Sequence, residues 1–278
     1  MSWIRAIQHK RPKHKYAINA KLLGDDAECA WTNLGYWDEQ TSSYPQACQQ
    51  LAEHLAQSVH LNSKDRVLDL GCGQGASLKY WLEHYHIQDL EAVELQQQCV
   101  SNIQNKIPQL QAIYCQSFLN LKAIPFAKKF DVVLCIDAAY HSEFNVFVNS
   151  IQSVLNSKGR VGFHTLMLSD KVLNSKQKLQ YRYGLKIADI HFKHVLNQAQ
   201  IQQSLQQQGF ENIEIVDLSH NVLAGFGAYI QSQDQSTQRR LDQFKINMTA
   251  KLCEKLARDG VVKYVQISAV KSDNSIKK

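Results

Sequence analysis

The stretch RVLDLGCGQGAS, residues 66 to 77, carries Asp69 near the end of a short apolar run and then places Gly71, Gly73 and Gly75 ahead of a helical pattern. Glycines at a strand-to-helix turn let the backbone approach a ligand and leave the helix N-terminus facing it. Glu94 stands at the end of the next apolar run, where a carboxylate can accept both hydroxyls of a ribose. The segment FDVVLCIDAAYH, Phe130 to His141, then brings Asp137, Tyr140 and His141 to the end of a third such run. An imidazole with a pKa of about 6.5 can take a proton near neutral pH. Together these residues describe a site for an adenosyl ligand with a general base beside it.

The spacing of Gly71, Gly73 and Ala76 also fits the G-x-G-x-x-(G/A) turn of a dinucleotide site, so the glycines alone do not choose the ligand. Asp69 does. A carboxylate two residues before the first glycine opposes a doubly anionic pyrophosphate. S-adenosylmethionine carries a sulfonium and an ammonium against one carboxylate, so the same acid attracts its amino-acid end.

The elements that must position these groups alternate along the chain. PQACQQLAEHLAQSVH, from Pro45 to His60, repeats Ala47, Leu51, Leu55 and Val59 at helical spacing, with Pro45 suited to the first turn. Strand Arg66 to Leu70 follows, then helix Ala76 to about Tyr85, strand Leu90 to Leu95, helix Gln96 to Lys106 and strand Gln111 to Gln116. Phe130 to Asp137 has the length and β-branched content of a buried strand. A helix with Phe144, Phe147, Ile151 and Val154 on one face is expected to stop at Gly159, before the strand RVGFHTLML. Such alternation implies right-handed crossovers, a parallel sheet and an α/β fold.

Residues 169 to 197 break the rhythm, being basic and aromatic without a clean period, and read as an insertion. Helix Gln198 to Gln208, strand Glu211 to Leu218, a long helix from about Ser236 to Arg258 and the strand VVKYVQISAV complete the chain.

The 278 residues suit one large domain. A net charge of +6 would suit an anionic partner, but the cations are scattered apart from the run Lys10 to Lys15, which reads as a solvated tail. Seven cysteines lack CxxC pairs or metal-ligand spacing, so a cytoplasmic protein with reduced thiols and no metal is expected. No N-terminal stretch resembles a secretory signal, and no run approaches the roughly 18 apolar residues of a membrane span.

VLDLGCGQG, the acid at Glu94, FDVVLCIDAAYH and LNSKGRVGFHTL together resemble the class I S-adenosylmethionine-dependent methyltransferases, from roughly Trp31 to Lys271. The resemblance implies a Rossmann-like, doubly wound, seven-stranded sheet, mostly parallel, with VVKYVQISAV inserted as an antiparallel last strand. It implies a methyltransferase domain over 45–271 between a basic tail and lid segment, 1–44, and a short tail, 272–278. The nearest likeness is to small-molecule enzymes, in the natural-product, tocopherol and fatty-acid branch. NLGYW, Asn33 to Trp37, resembles their N-terminal lid, making Tyr36 and Trp37 candidates to close over the donor. Trp31 to Trp37 is therefore expected to be a mobile lid that orders with ligands, with no strand partner evident in the sequence. Donor contacts are implied at Asp69, Gly71, Cys72, Gly73, Gly75, Glu94, Leu95, Asp137 and Trp37. The family often has an acid after the third strand that binds the adenine amino group. This chain has YCQSF, so Gln116 or Ser117 is left as a neutral acceptor.

The D-x-x-x-H spacing of Asp137 and His141 resembles phosphobase and sugar methyltransferases, implying His141 as general base, with Tyr140 beside it and Tyr36 as a lid tyrosine able to pair with it. Base amino-methylating enzymes carry a (D/N/S)-P-P-(Y/F) segment where this chain has DAAYH, which argues against a DNA acceptor. An RNA methyltransferase, an NAD-dependent oxidoreductase and an inactive adenosyl-binding module are the alternatives. Within the insertion, Tyr181, Arg182, Tyr183, Lys186 and Phe192 are candidates to line an acceptor pocket, and the sequence names neither the acceptor nor its reacting atom.

Overall fold

A computed structural model describes residues 19–233 and 240–273. The basic run Lys10 to Lys15, the expected helix start at Ser236 and most of the tail 272–278 lie outside them. Strand β1, Arg66–Leu70, lies between β2, Asp89–Glu94, and β4, Phe130–Cys135, and is parallel to both. β3, Ala112–Cys115, extends the sheet on one side. β5, Leu155–Leu168, β7, Phe210–Asp217, and β8, Val262–Lys271, extend it on the other. The order is β3-β2-β1-β4-β5-β8-β7, with β8 antiparallel to both β5 and β7.

The sheet has eight strands rather than seven, because Leu196–Asn197 (β6) pairs with Met167 and Leu168 of β5. The helix expected to run to Gly159 stops at Val154, since Leu155 already pairs with Phe130 and begins β5. Tertiary pairing there overrides the helical pattern.

Helix α1, Tyr44–Ser58, starts at Ser43, whose side chain accepts from the Gln46 amide, with proline in the first turn. It packs with α2, Ala76–Glu83, and α3, Gln97–Lys106, on one face of the sheet, around Leu55, Leu78, Trp81 and Ile103. α4, Phe144–Val154, and α6, Gln198–Gln207, cover the other face through Phe147, Ile151, Ile201 and Leu205. The insertion forms helix α5, Ser175–Ile187, started by a capping box between Asn174 and Gln177.

Between β7 and the long helix α8, Arg240–Asp259, the chain forms a π-turn, His220–Ala224, running into α7, Gly225–Ser232. The sequence reading assigned no element there. A third apolar cluster roofs the carboxyl end of the sheet, joining Leu34, Leu185, Phe226 and Cys253 to Leu166 and Tyr264. β1 and β4 are neighbours whose connections run to opposite sides, so the site sits at the topological switch point of the sheet. No helix among the described residues is long and apolar enough to cross a membrane. The seven cysteines are free, and no cluster of metal-ligating side chains occurs among the described residues.

Candidate functional site

The turn after β1 needs its glycines: Gly71, Gly73 and Gly75 lie at φ 71°, 55° and 92°, the left-handed region. A Cβ at Gly71 would stand 3.0 Å from Ala138 Cβ, and one at Gly73 only 2.8 Å from Thr32 Oγ1. The turn is thus gripped between the end of β4 and the N-terminal segment, and bare backbone lines the narrow space between them.

Asp69 is buried at the end of β1, and its Oδ2 accepts from the Trp81 indole N–H at 2.7 Å. Burial pushes its pKa up to about 6, against the hydrogen bonds from Trp81 and Ser77. Glu94, at the end of β2, accepts from the Gly73 amide at 3.0 Å and from the Gln96 amide at 2.8 Å. The second acid therefore holds the glycine turn itself.

Asp69, Gly71, Cys72 and Asp137 share one cleft. Thr32, Asn33 and Ser77 line it too. Neither Thr32, inside the expected lid Trp31 to Trp37, nor Ser77, in the first turn of the helix after the glycines, is singled out by the sequence. Leu95 is exposed at the end of β2, and Gln116 lies beside it, its amide donating to the Glu94 carbonyl at 3.2 Å. The Ser117 hydroxyl accepts from the Leu119 amide at 3.3 Å and caps the short helix Phe118–Ala123.

Asp137 follows β4 at φ 53°. Its Oδ2 accepts from the Leu34 amide at 2.9 Å, and its Oδ1 accepts from the Tyr140 hydroxyl at 2.8 Å and the Tyr264 hydroxyl at 2.9 Å. Burial raises its pKa while these three bonds oppose the rise. Tyr140 and His141 form a short turn, Ala139–His141, with their rings 4.6 Å apart. His141 Nδ1 is 3.4 Å from the Asp189 carbonyl oxygen of the insertion.

The segment pairs with no strand among the described residues, and helix and turn residues hold it instead. Trp37 exchanges bonds with Asn221, its amide donating to the Asn221 carbonyl and the Asn221 side chain to the Trp37 carbonyl, and its ring stacks on Tyr229 at 4.2 Å. Tyr36 lies 4.2 Å from the His54 ring on α1, and its amide bonds to the Ala47 carbonyl. The part of this segment that faces the cleft is Trp31, Thr32 and Asn33. In the insertion, the Tyr181 hydroxyl donates to Asp259 at 2.7 Å and its ring packs near Phe192, while Arg182, Tyr183 and Lys186 are exposed.

A larger groove of about 690 Å³ opens between α7 and α8, bordered by Asp217, Glu254, Arg258 and Lys263. Its charges pair locally, Lys263 with Asp217 at 2.9 Å and Arg258 with Asp259 at 3.3 Å, and no donor-site residue borders it.

The first cleft fits S-adenosylmethionine by its chemistry. It brings Asp69 and Asp137 to one space, where positive groups gain, and opens onto the backbone at Gly71, while Glu94 at the adjoining strand end holds the Gly73 amide. A pyrophosphate would meet two carboxylates instead.

Comparison with known proteins agrees. Residues 37–215 match a family described as a methyltransferase domain. The chain is 26% identical over 250 residues to erythromycin 3''-O-methyltransferase of Saccharopolyspora erythraea, covering 84% of this chain and 81% of that one. It is 24% identical over 203 residues to glycine/sarcosine/dimethylglycine N-methyltransferase of Actinopolyspora halophila, covering 72% of this chain and 35% of that one. In fold it is similar to geranyl diphosphate C-methyltransferase from Streptomyces coelicolor A3(2), solved with S-adenosyl-L-homocysteine, with a TM-score of 0.69, 16% identity and coverage of 91% and 92%. The family match takes in well over half of the chain, from before β1 to β7 and through both acid-bearing strand ends, and this chain accordingly belongs to the methyltransferase domain family, as an enzyme whose methyl donor is S-adenosylmethionine.

Proposed function

We propose that the protein methylates a hydroxyl group of a small molecule with a largely apolar body. The observation that carries this reading is the placement of His141: it shares one short turn with Tyr140, whose ring packs against the apolar cluster at the carboxyl end of the sheet, four residues beyond Asp137. S-adenosylmethionine supplies an electrophilic methyl group on a sulfonium. Asp69 offers its charge to the ammonium, Glu94 accepts from the ribose hydroxyls, and Gln116 or Ser117 accepts from the adenine. Gly71, Gly73 and Gly75 leave room for the donor, with Cys72 and Leu95 beside it. His141 takes the acceptor's proton as its oxygen attacks, which a neutral imidazole can do near neutrality. Residues Trp31 to Trp37 exclude water from the reacting groups and are proposed to move when ligands enter. The O-methyltransferase among the relatives supports an oxygen acceptor. DAAYH, without the paired prolines of base amino-methylating enzymes, supports a small acceptor over a nucleic acid.

The test is a transfer assay with labelled S-adenosylmethionine against three acceptor sets: hydroxylated glycosides and phenols, small amines, and prenyl diphosphates. Label is expected in the hydroxyl set. Label confined to amines or prenyl diphosphates overturns the oxygen reading.

Donor binding carries its own pH dependence. The free protein holds Asp69 at a pKa of about 6, so the carboxylate that receives the ammonium is ionised above that pH and protonated below it. Affinity for S-adenosylmethionine is expected to fall as the pH drops through 6 and to level off above 7, measured by calorimetry. Asp69→Asn should reduce that dependence and remove most of the affinity.

A further inference from the structure

The carboxylate of Asp137 collects bonds from its own turn and from two distant parts of the chain. Tyr140 is three residues on, Leu34 belongs to the N-terminal segment, and Tyr264 comes from β8, 127 residues away in sequence. A non-glycine residue keeps a left-handed backbone only where its surroundings over-determine it, and Asp137 at φ 53° is such a case. Tyr264 is itself fixed. Its side chain is fully buried, its ring stacks on His164 at 5.5 Å, its amide donates to Ser219 Oγ at 2.9 Å and its carbonyl accepts from the Leu218 amide at 2.9 Å.

We infer that Tyr264 is a positioning residue for donor binding, acting through Asp137, which its hydroxyl holds against the cleft together with the Leu34 backbone. The inference rests on the reading of that cleft as the donor site. One phenol on the last strand thereby ties the wall of the cleft to the segment that covers it. Sequence motifs are silent about Tyr264, since VVKYVQISAV reads only as a buried edge-inserted strand.

A purely structural tyrosine would affect stability alone when its hydroxyl is removed. A positioning one must also change how Asp137 ionises. The ionisable groups around Asp137 are Cys135, Tyr140 and His141 on its own strand and turn, Tyr44 and Cys48 on α1, Tyr264 on β8, Cys253 on α8, and Asp69 across the cleft. Burial holds these phenols and thiols above their ordinary ranges, so they stay neutral near pH 7. Tyr264 and Tyr140 both favour the charged form of Asp137, and losing one of them moves its pKa further up.

The experiment titrates S-adenosylhomocysteine by calorimetry into wild type, Tyr264→Phe, Asp137→Asn and the double variant, from about pH 5 to about pH 8, with melting temperatures in parallel. Tyr264→Phe is expected to weaken binding about tenfold or more near neutrality, the scale of a lost bond to a charged group. Its acid limb should also move to higher pH. In the Asp137→Asn background the same substitution should change neither quantity, which separates Asp137 from Asp69 and His141. Tyr264→Phe with wild-type affinity and pH profile, or with an equal loss in both backgrounds, overturns the inference while leaving the donor site standing. A wild-type protein that does not bind the probe overturns the donor-site reading and the inference with it.

Discussion

Replacing Gly73 by valine is expected to weaken S-adenosylmethionine binding about a hundredfold or more, which corresponds to roughly 2.8 kcal/mol. Two effects add. The residue lies at φ 55°, a region that costs a β-branched side chain on the order of 1–3 kcal/mol. Its Cβ would also stand 2.8 Å from Thr32 Oγ1, so the side chain must push the covering segment off the turn. The same shift would pull the Gly73 amide from Glu94, the acid assigned to the ribose. Motif reasoning alone expects the new side chain to collide with the donor; in the structure it collides first with the cover. Calorimetry on a variant whose melting curve shows it folded decides the matter, and an unchanged affinity would sink the donor-site assignment.

His141→Ala is expected to lower turnover about 10²- to 10⁴-fold, the usual cost of losing a working general base, with donor affinity nearly unchanged. The separation of the two readouts follows from the fold. Asp69 and Glu94 lie at the ends of β1 and β2, whereas His141 lies beyond β4 in a turn that meets the insertion at Asp189. Once an acceptor is in hand, steady-state rates against pH test it. A variant with wild-type turnover and an unmoved pH profile rules His141 out as the base. A loss of donor affinity equal to the loss of rate would instead mean that the substitution had disturbed the turn carrying Asp137 and Tyr140.

The sequence by itself determined the α/β class, the succession of the main strands along the chain and which residues stand at the strand ends where the donor site is proposed. The physical reason is that those features are local. β1 reads as a buried run, three glycines must follow it to turn the chain in left-handed conformations, and the acids Asp69 and Glu94 sit at strand ends that any parallel sheet brings together. His141 was legible for the same reason, as a residue just beyond β4.

What only the tertiary structure decided involves pairs far apart in the chain. The eighth strand exists because the last two residues of the insertion meet the end of β5, and α4 ends early because Leu155 finds Phe130. Tyr36 and Trp37 look alike in sequence as lid aromatics, yet the fold gives one ring to His54 and the other to Tyr229, and turns Thr32 and Asn33 toward the cleft instead. Tyr181, a pocket candidate by composition, is anchored to Asp259 at the end of α8. Tyr264 carries no local mark at all. Periodicity reports which face of an element is buried, but not which polar atom across the core a buried hydroxyl will reach, and that choice is what joins β8 to Asp137 and Asp137 to the cover.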